Sequence, residues 1–158
     1  MQTQSFMVDV PGGQVFVQRW QPASATSGAA CPIVLLHESL GSVGQWHDFP
    51  ARLAQATGRE VLAYDRLGFG QSSPRSDAPS LQFIAHEAQQ HFPALVAALG
   101  LERYALLGHS VGAVMALHIA AAHPAQCQAV LSLSAQAYVQ PQTLEGIRAA
   151  QRFFADPQ

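Results

Sequence analysis

An apolar run that breaks at a short glycine and serine segment and resumes as an alanine-rich stretch admits few folds for this chain. Tyr104-Ala105-Leu106-Leu107 is short, apolar and unbroken, the pattern of a parallel strand covered on both faces. From Val111 to His123 the residues Val114, Leu117 and Ala121 recur at helical spacing, alanine is abundant, and Pro124 stops the pattern. Gly108-His109-Ser110-Val111-Gly112 joins the two, so the strand is expected to end at Gly108 and the helix to begin just past Ser110. A serine pinched between a strand end and a helix start must adopt a strained backbone conformation. Glycines on either side leave room for chains that cross beside it, and the serine hydroxyl is then exposed, as a nucleophile requires.

The rest of the chain alternates in the same manner. Phe6, Val8 and Val10, the turn Pro11-Gly12-Gly13, and Val15 and Val17 running on to Trp20 predict an antiparallel hairpin. The small and polar residues from Gln21 to Ala30 predict a surface loop rather than a domain linker. Then come a strand from Ile33 to His37, a helix from Trp46 to Thr57 ending near Gly58, and a strand from Val61 to Tyr64. A helix from Leu81 to Leu99 with Gly100 behind it precedes the strand at Tyr104, and a strand from Ala129 to Leu133 follows the serine's helix. Periodicity lapses over Ala135 to Gln142 and returns as an amphipathic helix from Leu144 to Phe154.

The pentapeptide around Ser110 resembles the G-x-S-x-G nucleophile elbow of the α/β-hydrolase family. Two other segments, in family order, extend the resemblance over most of the chain. Ile33-Val34-Leu35-Leu36-His37-Glu38-Ser39-Leu40-Gly41, followed by Trp46, is similar to the family's strand and oxyanion loop, except that Glu38 stands where the family usually has glycine. Tyr64-Asp65-Arg66-Leu67-Gly68-Phe69-Gly70-Gln71-Ser72 is similar to the family's aspartate, glycine and serine loop. The resemblance implies an α/β fold of three layers, a mostly parallel sheet with helices on both faces, ending after its sixth strand. It further implies an N-terminal portion of the hydrolase core over residues 1–135 and the start of a cap over 136–158.

By the same resemblance Ser110 is the catalytic nucleophile of a serine hydrolase cleaving a carboxylic ester, thioester or related acyl bond of a small-molecule substrate. The amide of Val111, at a helix N-terminus, is the first oxyanion-hole donor, and Ser39 is the second, with Glu38 and Leu40 as alternatives. His37, Glu38 and His109 are pocket candidates. A carboxylate at Glu38 opposes a developing oxyanion unless it is turned away, protonated or engaged by a partner such as Arg66; a structural role is expected for it. Asp65 and Arg66 read as loop-fixing residues.

A serine hydroxyl also needs a base, and the base needs a third group to orient it. Downstream of Ser110 lie only His118 and His123 with Glu145 and Asp156, which do not fit the family order of serine, acid, histidine. His118 sits roughly 12 Å along the helix axis from the serine, too far to serve. His109 points away from a tight turn, and His37 is the runner-up base. The acid and base are therefore expected beyond residue 158, with the isolated polypeptide nearly inactive. The alternative is a non-catalytic ligand receptor or regulator on the same fold.

Composition narrows the partners. A net charge of -2 offers no basic face for nucleic acid. Gly68 and Gly70 lack the spacing of a phosphate cradle, and the pairs His86 with His91 and His118 with His123 lack the four-residue spacing of a helical metal site, so neither cofactor nor metal is expected. Cys31 and Cys127 each precede a strand, and the family's sheet order implies one strand between those two, which puts the cysteines about 10 Å apart and beyond disulfide reach. With no leader-like start and no membrane-length apolar run, a cytoplasmic location without membrane contact is expected. In the family further strands pair beyond this last one, so the resemblance implies an open apolar edge and self-association through it.

Overall fold

The computed structural model describes residues 1–23, 30–76, 78, 80–136, 138 and 140–155. Among these residues six strands form one sheet in the order β1-β2-β4-β3-β5-β6. They are β1 (Gln2–Val10), β2 (Gly13–Gln21), β3 (Ile33–Leu36), β4 (Val61–Tyr64), β5 (Tyr104–His109) and β6 (Cys127–Leu133). β1 and β2 make the expected hairpin, and β2 pairs antiparallel with β4. β4, β3, β5 and β6 run parallel. β1 reaches back to Gln2, further than hydrophobic alternation alone indicates, because Thr3 and Gln4 pair opposite Trp20 and Arg19 on an edge strand that tolerates polar residues.

Side-chain alternation sorts the core onto the two sheet faces. Val34, Leu36, Leu62, Tyr64 and Leu106 meet Phe92, Leu95, Met115 and Ile119 on one face. Leu35, Val61, Ala63 and Leu107 meet Ala54 and Trp20 on the other. The helices behind these contacts are α1 (Phe49–Thr57), α2 (Phe83–His86), α3 (Phe92–Ala98) and α4 (Val111–Ala122), and α5 (Pro141–Ala155) follows β6.

Two expected helices are interrupted. The stretch from Trp46 to Thr57 divides into a 3₁₀ turn, Val43–Trp46, and α1, because His47 takes φ 49 and Pro50 suits only the first turn of a new helix. The stretch from Leu81 to Leu99 contains a π-helical turn, Glu87–His91, where the amide of Phe92 reaches back five residues to the carbonyl of Glu87. Pro93 lacks an amide hydrogen and crowds the preceding turn, and the widened turn accommodates its ring. α5 begins at Pro141, three residues before the amphipathic pattern becomes visible.

Candidate functional site

The elbow is as tight as its sequence implies. β5 continues one residue past Gly108, since His109 pairs with Leu133, and Ser110 then turns at φ 55 and ψ -117. That left-handed conformation is costly for a residue with a side chain, of order 1–3 kcal/mol. Its amide donates to the carbonyl of Leu133 (2.8 Å), while its own carbonyl accepts from Ala113 (3.0 Å), starting α4. A Cβ on Gly108 would overlap the carbonyl of Gly112, and one on Gly112 would overlap the carbonyl of Leu36. The amide of Val111, first in the helix, has no intrahelical acceptor, and Ser110 is half-buried.

Beside the elbow, the loop after β3 is pinned from one side by Arg66. Its guanidinium donates through Nη1 to the carbonyl of His37 (2.6 Å) and through Nη2 to those of Glu38 (2.7 Å) and Ser39 (3.2 Å). It also lies over the Phe69 ring, 4.9 Å from the centroid. Burial lowers the basicity of Arg66, opposed by Tyr64, Glu87, Glu38 and Asp65. Of the three ways in which Glu38 could be kept from opposing an oxyanion, a hydrogen bond from Arg66 to its carboxylate is not seen among the described residues: Arg66 contacts the backbone, where three carbonyls converge on one donor group.

His37 does not face the serine as a base. The backbone amide of Arg66 donates to its Nε2 (3.1 Å), so Nε2 accepts and the proton resides on Nδ1, which donates to the carbonyl of Glu38 (2.8 Å). Burial, aided by the charge of Arg66, lowers its pKa to about 3. Both ring nitrogens are spent on loop geometry, which removes His37 as runner-up base. Asp65 fixes the neighbouring loops as expected: Oδ1 accepts from Val43 (2.6 Å) and Oδ2 from Gln71 (2.7 Å). Gly70, at φ 51, packs against this carboxylate where any Cβ would collide.

These loops separate a pair of cavities. One, about 270 Å³, is lined by His37, Glu38, Ser42, Gln45, Trp46 and His109. The other, about 170 Å³, has Ser39 and Val111 on its wall with Arg66, Phe69, Phe83 and Met115. The two residues flanking Ser110 in the chain therefore border different cavities, and so do the neighbours Glu38 and Ser39. His118 is exposed on α4, and His123 directs Nε2 to the carbonyl of Ala88 (3.0 Å), so neither joins this group. Cys31 and Cys127 are free thiols.

Sequence reading missed a buried trio next to the smaller cavity. The Tyr64 hydroxyl donates to Oε1 of Glu87 (2.6 Å), and Oε2 of Glu87 lies 3.3 Å from Nδ1 of His91. Burial, with the Glu87 charge and hydrogen bond, raises the Tyr64 pKa far above its ordinary value. The four-residue spacing of Glu87 and His91 was the available signal; the link to Tyr64, from strand to helix, had none.

A family model described as alpha/beta hydrolase fold matches residues 32–158. A proline iminopeptidase from Lactobacillus delbrueckii subsp. lactis is 33% identical over 101 residues, covering 62% of this chain and 34% of that protein. The crystal structure of proline iminopeptidase from Mycobacterium smegmatis superposes with a TM-score of 0.73 at 30% identity, over 98% of this chain and 50% of that one. Naproxen esterase from Bacillus subtilis shares the fold, with a TM-score of 0.77 at 22% identity over 95% of this chain and 49% of that one. The chain spans about a third of the length of these curated relatives and half of the solved structures.

Proposed function

From the premise that this chain belongs to the alpha/beta hydrolase fold family, we propose that it is the nucleophile-bearing portion of a serine hydrolase that cleaves an acyl bond through an acyl-enzyme on Ser110. The supporting observation is the backbone of Ser110 itself. A non-glycine residue at φ 55 between β5 and α4, wedged by two glycines that admit no Cβ, is a strained position that presents a hydroxyl.

In the proposed mechanism the Ser110 Oγ attacks the acyl carbon as a base removes its proton. The bond to the leaving group breaks as the tetrahedral intermediate collapses, and water then releases the acyl group. The amides of Val111 and Ser39, both on the smaller cavity, stabilise the oxyanion; each such donor is worth about 10²–10³ in turnover. With His37 committed to its loop and His123 to Ala88, the base and its acid are assigned to segments beyond residue 158. Residues 136–158 are assigned to the start of a cap, and a cytoplasmic setting fits the finding that no helix among the described residues is long and apolar enough to cross a membrane. The relatives named for hydrolases, and the family itself, favour this reading over a non-catalytic receptor.

A fluorophosphonate probe tests it on the full-length protein. Stoichiometric labelling at Ser110, abolished in Ser110→Ala, is expected; labelling that survives Ser110→Ala overturns the assignment. The polypeptide 1–158 by itself is expected to lose roughly a million-fold in turnover, as removal of a catalytic base does.

A further inference from the structure

We propose that the cavity bordered by Glu38 and Trp46, on the His109 side of Ser110, binds a positively charged amino group of the substrate. The inference deepens the reading of Ser110 as nucleophile and rests on it for its kinetic consequence.

Among the described residues lining this cavity, Glu38 is the only one that carries a formal negative charge, and no arginine borders it. The carbonyl of Glu38 is held by three donors, the Nδ1 of His37, the Nη2 of Arg66 and the amide of Gly41 (3.3 Å), which fixes where its side chain departs. Arg66 donates to backbone carbonyls, and the Glu38 carboxylate has no side-chain hydrogen-bond partner among the described residues. Trp46 supplies an aromatic wall, itself stacked on Phe49 at 5.7 Å, and an ammonium group is attracted to such a ring. Gln45 and Ser42 add neutral hydrogen-bonding groups.

Chain position links the cavity to the chemistry: Glu38 precedes Ser39, the proposed oxyanion donor, and His109, on the same cavity wall as Glu38, precedes Ser110. The Glu38 carboxylate, partly offset by the Arg66 charge, repels a developing oxyanion. An ammonium group seated against it cancels that field, so a cationic substrate removes a penalty that neutral and anionic substrates retain. The preference then appears in kcat as well as in KM.

The experiment uses the full-length protein and two readouts. In the first, calorimetry compares benzylamine, protonated at pH 7, with benzyl alcohol. About tenfold tighter binding of the amine is expected, falling to parity in Glu38→Gln and retained in Glu38→Asp. In the second, kcat/KM for L-alanine benzyl ester is expected to exceed that for N-acetyl-L-alanine benzyl ester by about tenfold, the ratio collapsing toward one in Glu38→Gln. Amine binding or ester preference that is absent, or that persists in Glu38→Gln, overturns the proposal. Fluorophosphonate labelling of the wild type keeps the two readings apart. If Ser110 labels and the amine preference is missing, only this proposal falls; if Ser110 does not label, the hydrolase reading falls while calorimetry still decides whether Glu38 holds the amine.

Discussion

Arg66 supports the site through one side chain and three carbonyls. Arg66→Met keeps most of the buried stem and removes every donor, taking this partner from the carbonyls of His37 and Ser39 and one of three from that of Glu38. It is expected to cost about 3 kcal/mol or more, read as a lowered urea midpoint. Arg66→Lys recovers only a fraction, because an ammonium cannot span three acceptors as a planar guanidinium does; full recovery would show the clamp to be dispensable. His37 gives a pH signature. It is neutral in the folded protein down to about 3, whereas in the unfolded chain it binds a proton near pH 6.5. Between these values the unfolded state holds more protons, so this group's stabilisation is complete above pH 6.5 and declines as pH falls, by up to about 1.4 kcal/mol per pH unit. Urea midpoints at pH 7 and 4.5 should fall further apart in the wild type than in His37→Asn; equal slopes would assign the effect elsewhere. Ser110, Asp65 and Arg66 were legible because each lies in a contiguous motif whose turn chemistry is local. The trio Tyr64, Glu87 and His91 was not, because burial, which a sequence does not display, is what joins its members.

At the scale of elements, the elbow depends on contact between backbones. Gly112→Ala would drive a methyl group into the carbonyl of Leu36, which belongs to β3 and cannot move without disturbing the parallel register with β4 and β5. A loss of at least about 3 kcal/mol is expected, with Ser110 labelling lost in whatever protein still folds. A variant that melts and labels like the wild type would show the crossing to be loose. Strands were readable from apolar runs because those in the parallel region are buried on both faces. Helix continuity was less so: apolar periodicity passes through Pro93 and His47 without a mark, whereas hydrogen bonding does not. The π turn that results carries Glu87 and His91, so the break in the helix and the buried trio are one feature.

For the whole molecule, the sheet ends in the largely polar edge of β1 at one side and in β6 at the other. Among the described residues no strand lies beyond β6, and Leu131 and Leu133 are 52% and 40% exposed, with Leu117 of α4 nearby in exposure at 48%. An apolar strand edge is a template for pairing. The 1–158 polypeptide is expected to sediment as a dimer or larger species and to bind a hydrophobic dye; a dye-negative monomer with a cooperative melt would contradict this. Three-layer architecture was legible from the alternation of strands and helices, while the sheet order came through the family resemblance rather than through any single residue. That order also has a consequence in time. Every piece that positions Ser110, from β3 through the carbonyl of Leu133, lies between residues 33 and 133. During synthesis at roughly 5–20 residues per second, this framework can assemble before later segments emerge. Under the proposed function, a base supplied by such later segments would arrive after the elbow is shaped, and Ser110 of the nascent chain would stay silent until then.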